Sequence, residues 1–597
     1  MPVRSEPASN FGFSHLISST TNMIARAVLS NHYHRDHPTE RVIPERDPAT
    51  TKAWMVGSGI GCLASAAFLI RDAGVPGENI TIFEEFGVHG GSLDGSGSAE
   101  DPRGYVIRGG RMLNLSYLCL YDLCKWVPAY EPYFKEKVSN GEEIKTVYDE
   151  IMDFDERIKT EAHARLVDAE GNKLDVTSMG FDNQDRLDML AMLSISEEEL
   201  GTKRIEECFS EHYFTTNFWY MWQTTFAFKP CHSAVEFKRY LHRFAHEFPR
   251  IETLAGVDRT VYNQYDSIVL PLMNHLKSLG VQFVPLTKVV DFEYDRSVPH
   301  TMTVKALKLI KTDSGEEETL EIDSVNDLVF FTNGSMTSSA GLGDMDTPAP
   351  IKLEPDGTFQ LWENVSREFP TLAGNPHNFL NRFEEAQWMS FTVTLRDPTF
   401  LRLNEMWTTN SPGTGALVTF KDSKWRLSYV IAKQPHFRNQ PDDVAVFWAY
   451  ALHTDVEGDY VAKPMRECTG REMFEELLGH LKAPFESVGA TEHDWETIRD
   501  TTVVVPCMMP YITSMFLTRT HEDRPPVVPH GSTNLAFVSQ FAEIPDDVVF
   551  TVEYSTRAAR LAVCELMSLD ESKLPPPIYK AGHSPAYLVQ SLKSFMS

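Results

Sequence analysis

Three glycine-bearing stretches and a carboxylate carry the first chemical signal in this chain. Gly57-Ser58-Gly59 follows the apolar run Ala53–Val56 and opens a second apolar segment. Gly57 can therefore make a tight turn, and Gly59 can let the backbone approach a pyrophosphate at a helix N-terminus. The usual fingerprint has a third glycine where this chain has Cys62, with Gly61 one residue early. Glu84 ends the next apolar run (Ile80, Ile82, Phe83), 25 residues beyond Gly59, with Glu85 beside it. A carboxylate there accepts hydrogen bonds from ribose hydroxyls and disfavours a 2′-phosphate. Two further loops follow, Gly90-Gly91-Ser92-Leu93-Asp94-Gly95 and Arg108-Gly109-Gly110-Arg111. The amides around Gly91, Ser92 and Gly110 and the guanidinia of Arg108 and Arg111 suit a diphosphate and a flavin ring. A plain hairpin is the competing reading of Gly90–Gly95.

The elements that must position these groups read as a βαβ opening: strand Ala53–Val56, helix Leu63–Ala73, strand Asn79–Glu84. Residues 140–210 are rich in Asp and Glu with Leu and Met at helical spacing, which predicts a charged helical insert. Residues 275–292 read helix, glycine, strand; 300–333 alternate as strands around a Ser-Gly turn at 314–315 before a buried strand at Asp327–Phe331. Thr332-Asn333-Gly334-Ser335 follows that strand. Leu535–Ser539 reads as a last apolar strand, and Thr551–Leu566 as a helix whose N-terminus follows Gln540. One sheet is thus expected to draw strands from distant parts of the chain.

Composition sets the outer bounds. A chain of 597 residues with 42% hydrophobic and 23% charged residues has the balance of a large globular protein. Its net charge of −29 repels a phosphate backbone, which argues against nucleic acid as a partner. The eight cysteines form no CxxC pair, so neither a zinc site nor a disulfide framework is legible, and a reducing compartment, the cytoplasm, is expected. No apolar run reaches 18 residues, and residues 1–50 lack the apolar core of a signal peptide. That stretch reads as an arm ending at Pro44 and Pro48. Its Ile17, Met23, Ile24, Ala27 and Val28 can form a docking stripe, and His32, His34 and His37 read as solvated rather than metal-binding.

Longer motifs carry a resemblance. GGSLDG at 90–95, RGGR at 108–111, the stretch from Trp219 to Phe248, YNQY at 262–265, QPHF at 434–437 and FAEIPDDVVFTVEYS at 541–555 resemble the oleate hydratases, FAD-dependent fatty acid hydratases once called myosin-cross-reactive antigens. The resemblance runs from about Trp54 to the C-terminus. It implies addition of water across the cis double bond of a free unsaturated fatty acid such as oleate or linoleate, with FAD, best in its reduced form, undergoing no net redox change. The implied fold class is α/β, with a Rossmann-like FAD-binding domain discontinuous in sequence (51–135, 255–345 and 500–570). Mixed α+β substrate domains are inserted at 136–254 and 346–499, and a helical C-terminal segment occupies 571–597.

Tyr240 matches the family's proton donor; without the resemblance it reads as a core tyrosine on an aromatic-rich helix. Val289, Asn333, Ser335, Gln540 and Thr551 match parts of the flavin site. The position after RGGR departs from the family, which carries Glu there where this chain has Met112, followed by Leu113 and Asn114. A thioether cannot take a proton. Water is then held otherwise, or a nearby group such as Asn114 or a backbone carbonyl substitutes, or activity is lost, while Arg111 and the rest of RGGR stay intact. Gln264 and His436 match polar residues at the substrate's carboxylate end, but Val430 and Ala432 replace the Thr and Asn expected before QPH, leaving Lys433 as a possible compensating cation. Trp222 and the aromatics of 214–228 fit an acyl channel or an ordinary core equally. Lys573, Lys580 and Lys593 with Tyr587, Leu588, Leu592, Phe595 and Met596 fit a peripheral membrane contact or a tail docked on its own body. A homodimer is a further expectation. An FAD-dependent double-bond isomerase or oxidoreductase, or a fatty-acid-binding flavoprotein without turnover, are the competing functions.

Overall fold

Short apolar runs from three widely separated regions assemble the sheet that carries the glycine loops. In this computed structural model, which describes residues 43–129, 145–297 and 301–579, they are β1 (Ala53–Val56), β2 (Ile80–Phe83), β3 (Gln282–Val284), β4 (Leu328–Phe331) and β5 (Leu535–Phe537). Their order is β5-β4-β1-β2-β3, and every pairing is parallel. β4 is buried throughout, as a parallel strand covered on both faces must be.

Helix α1 (Ile60–Phe68) follows β1 directly, all of it buried and without a charged residue. It begins three residues before the expected start and runs on through one wide turn at Leu69–Ala73 to Gly74, whose φ of +77° closes it in the left-handed region. The imperfect fingerprint has a structural answer. A Cβ at Gly61 would stand 1.9 Å from the carbonyl oxygen of Val538, so Gly61 supplies the close helix–strand approach that the sequence pattern assigns to position 62. Cys62 instead faces the sheet, its Sγ 3.6 Å from the carbonyls of Val56 and Phe330. Gly61→Ala is therefore expected to cost about 1–3 kcal/mol through overpacking, read as a lowered unfolding temperature in calorimetry.

On the sheet, α1 packs against a second helix made of the expected C-terminal segment, Val552–Leu566, capped by Thr551, whose Oγ1 accepts from the Tyr554 amide at 3.2 Å. An antiparallel sheet of residues 317–321, 304–311 and 287–294 meets the parallel sheet where Phe292 touches Phe331 edge-on at 5.7 Å.

A second sheet holds the rest of the chain together. Its seven strands run in the order 341–342, 502–509, 388–395, 445–451, 427–430, 418–420, 166–167, antiparallel except for the last pair. Strand Trp388–Leu395 is buried along its whole length. The helices at 399–408 and 470–487 contribute Phe400, Leu403, Leu477 and Leu481 to the core built on this sheet. Thr392 Oγ1 accepts from the Ile107 amide at 3.0 Å and donates to the Ile107 carbonyl, so this sheet fixes the segment that leads into Arg108-Gly109-Gly110-Arg111.

The expected acidic insert folds as helices at 147–157, 183–194 and 197–200. Among the described residues no helix is long and apolar enough to cross a membrane. The arm residues Ile17, Met23, Ile24, Ala27, Val28, His32, His34 and His37, and the tail residues Lys580, Tyr587, Leu588, Leu592, Lys593, Phe595 and Met596, lie outside the described residues.

Candidate active site

A single cavity of about 700 Å³ runs from the glycine loops of β1 to the aromatic segment at 222–244. At the first end the helix α1 N-terminus has Gly59 as its cap with no side chain on its amides, which leaves those donors open to a ligand. The loop at 90–91 lies directly against it: a Cβ on Gly91, whose φ is +57°, would stand 3.0 Å from the Gly59 Cα. Gly57, Ser58, Gly59, Gly61, Glu84, Glu85, Gly91, Ser92 and Val289 all line this half of the cavity.

Glu84 is already at work there. Its Oε2 accepts from the Ser58 hydroxyl at 2.5 Å and the Ser58 amide at 3.0 Å, and its Oε1 from the Phe86 amide at 3.0 Å. Burial nevertheless raises its pKa above the ordinary carboxylate value. Each oxygen keeps acceptor capacity beyond these bonds.

Midway, Arg108 is held by Asp94, with Nε 2.8 Å from Oδ1 and Nη2 2.6 Å from Oδ2. Arg111 donates to the Ser92 carbonyl at 2.5 Å, and burial lowers its pKa to about 10. The two arginines thus tie the GGSLDG and RGGR loops to each other. Gly110 is required by packing: a Cβ there would meet the Trp448 ring at 2.8 Å. Ser335, Gln540 and Thr551 complete the wall. Asn333 departs from expectation. It is fully buried behind the wall, where its Oδ1 accepts from Ser539 Oγ at 2.8 Å, so it braces the strand ends instead of facing the cavity.

The far end is aromatic. Helix α2 (Ala234–Arg243) is N-capped by Ser233 and presents Tyr240 to the cavity. The Tyr240 ring is fully buried among Phe226 and Phe228 (centroids 5.1 Å each), Phe516 (5.6 Å) and Phe244 (5.7 Å). Its hydroxyl has no hydrogen-bond partner, and burial drives its pKa well above the usual phenol value. Met112 and Trp222 line the same end, as does Gln264, whose Oε1 is unpartnered. Asn114 lines it too, but its amide is spent: Oδ1 accepts from the Ser116 amide and Nδ2 donates to Glu247 at 2.8 Å. It orients neighbours, and its amide oxygen is too weak a base to take a proton.

Two expected head-group residues sit elsewhere. His436 and Lys433 are absent from the cavity wall. The His436 carbonyl accepts from the Asn263 amide at 2.9 Å and its own amide donates to Gln440, so the QPHF turn is braced against the YNQY segment. Burial lowers the His436 pKa to about 4, which leaves the ring neutral and no anchor for a carboxylate. Lys433 Nζ donates to the Gln434 carbonyl at 2.5 Å.

Sequence reasoning missed several wall residues. Trp388, Trp448, Tyr450 and Phe550 line the aromatic end, and the indole N–H groups of Trp222, Trp388 and Trp448 lack partners. Glu247 lines it as well, three residues after Phe244. The available signal was a carboxylate seven residues after Tyr240, just past the end of α2.

The pattern of the MCRA family matches residues 50–564, which contain all the strands described above and the whole cavity wall. This chain belongs to the MCRA family. It is 37% identical over 527 residues to an oleate hydratase of Streptococcus pyogenes serotype M49 (strain NZ131), covering 86% of this chain and 85% of that protein. It is 36% identical over 541 residues to a linoleate hydratase of Lactiplantibacillus plantarum, covering 86% and 93% respectively. Among solved structures, cyclohexylamine oxidase from Brevibacterium oxydans IH-35A aligns over 87% of this MCRA chain at 12% identity with a TM-score of 0.48.

Proposed function

We propose that this chain is a fatty acid hydratase that adds water across the cis double bond of oleate, linoleate or a similar free unsaturated fatty acid. The observation that carries this reading is the Tyr240 hydroxyl, buried and unpartnered on the wall of a cavity whose other half is a dinucleotide cradle. Hydrating an isolated alkene needs a proton donor at one carbon, stabilisation of positive charge at the other, and a placed water. A phenol kept neutral by burial holds its proton until the alkene is in contact. Gln264, on the cavity wall, supports a role in binding the polar head of the acid, to which its side-chain amide N–H can donate.

The residues present fit FAD. Gly57, Gly59 and Gly91 leave backbone free where side chains would obstruct, Glu84 and Glu85 face the ribose position, and Arg108, Gly110, Arg111, Ser335, Gln540 and Thr551 border the ring position. When bound, the reduced flavin supplies electron density beside the reacting carbons with no net redox change.

In the same reading, residues 51–135, 255–345 and 500–570 form the cofactor half, supported by the origins of β1 to β5, and 136–254 with 346–499 form the substrate half. Substrate collected from a lipid surface through the cationic tail at 571–597, a homodimer and a cytoplasmic location belong to this reading.

The test is incubation of the purified protein with reduced FAD and oleic acid in heavy-oxygen water, followed by mass spectrometry. A hydroxy fatty acid carrying heavy oxygen is expected. An isomerised alkene without added mass, or unchanged oleate alongside bound FAD, would overturn the assignment.

A further inference from the structure

Six carboxylates line the cavity among the described residues, and five of them belong to the dinucleotide half. Glu84 and Glu85 end β2, and Asp94 is paired with Arg108. Asp356 precedes Gly357, whose amide bonds Glu85 at 3.0 Å, and Glu354 precedes Asp356 by two residues. The sixth is Glu247. It lies seven residues after Tyr240, in the 3-10 turn Ala245–Arg250 that follows the end of α2 at Arg243, and Tyr240, Phe244 and Glu247 all line the cavity.

Glu247 is built to remain an anion there. Arg250 Nε donates to Oε2 at 2.7 Å and Arg250 Nη2 to Oε1 at 2.9 Å; Asn114 Nδ2 reaches Oε1 at 2.8 Å, and His246 Nε2 lies 3.0 Å from the same oxygen. Oε2 has one donor in this set and keeps room for another. Burial alone would raise the carboxyl's pKa, but the bonds from His246 and Arg250 hold it down at about 2. Asn114, which holds Oε1, is two residues from Met112, and both line the cavity with Tyr240, so the carboxylate stands beside the position where a water would be placed.

We propose that Glu247 is the catalytic residue that places the attacking water and takes its proton. This rests on the hydratase reading. The Tyr240 O–H bond breaks as a C–H bond forms at one alkene carbon. A C–O bond forms at the other from the water, whose released proton goes to Glu247. Return of that proton through solvent to the Tyr240 phenolate restores both groups, and the sum is alkene plus water giving alcohol. A weakly basic carboxylate suffices, because the protonated alcohol left by water attack is a strong acid. Its fixed negative charge also favours the positive charge developing on the attacked carbon. Met112, on the same wall, contributes no proton acceptor, and Asn114 serves by orienting Glu247.

The test compares the FAD-loaded wild type, Glu247→Gln and the double variant Glu247→Gln/Met112→Glu in steady-state hydration of oleate. The expected result is a kcat lowered by about 100-fold or more in Glu247→Gln with KM within about threefold, and at least about tenfold recovery when the carboxylate is relocated to position 112. A kcat for Glu247→Gln within about threefold of wild type would overturn the proposal, as would a loss that the relocated carboxylate fails to restore. Absence of heavy-oxygen product with the wild type would instead sink the hydratase reading itself.

Discussion

Tyr240→Phe is expected to lower the hydration rate by about 10²–10⁴-fold while FAD binding and the folded structure persist. The Tyr240 hydroxyl has no protein partner. Removing it strands no buried donor or acceptor, and the ring keeps its contacts with Phe226, Phe228, Phe244 and Phe516. The glycine loops proposed above to hold FAD lie at the other end of the cavity and are untouched. Since burial raises the phenol's pKa, the wild type keeps its proton through the alkaline range where a free phenol would lose it. Hydroxy acid formation by mass spectrometry, flavin absorbance and the unfolding temperature together check this. Unchanged turnover in the variant would remove Tyr240 from the mechanism.

Much of the cofactor half was legible because its signals are local. Gly57-Ser58-Gly59 sits between an apolar strand and an apolar helix, and Glu84 ends the next strand, so turn, dipole and carboxylate fall within a few dozen residues. Even the misfit at Cys62 had its answer beside it in Gly61. The substrate half was harder. Trp388, Trp448 and Tyr450 come from strands with every residue or nearly every residue buried, and such runs show no alternation to tell a cavity wall from core. His436 and Lys433 lie off the cavity wall for the opposite reason: a polar residue in a loop can turn elsewhere, as Lys433 does to the Gln434 carbonyl, and spacing does not reveal which way it faces.

Least legible was why FAEIPDD at 541–547 and the α2 segment should share one fate. Glu543 and Asp547 are fully buried and bind arginines of α2: Glu543 Oε1 lies 3.0 Å from Arg239 Nη2, and Asp547 pairs with Arg243. These partners are 304 residues apart, beyond any periodicity. Around Glu543 the network closes through Arg519 at 2.7 Å, Arg524, Glu236 and Glu197. Three arginines thus face three carboxylates in an interior where an uncompensated charge is costly.

Glu543→Gln is accordingly expected to destabilise the protein by about 3–5 kcal/mol, because it leaves a buried positive charge without its counterion. The pH dependence gives the sign. Burial opposes the ionised form of Glu543, but Arg519 and Arg239 hold its pKa far below the ordinary carboxylate value. A group depressed on folding stabilises the native state above its unfolded pKa, about 4.3, and that contribution drains away as pH falls below it. The gap in unfolding temperature between wild type and Glu543→Gln should therefore be full at pH 6 to 7 and shrink on acidification below about pH 4, as calorimetry across that range would record. A gap independent of pH would contradict the assigned pairing. Because Arg239 is the residue before Tyr240 and Gln540 borders the cavity three residues before Glu543, the same substitution should also loosen the phenol against the cofactor half. Turnover of the folded variant should then fall further than its binding of FAD, which ties the buried arginine cluster to the placement of the proton donor.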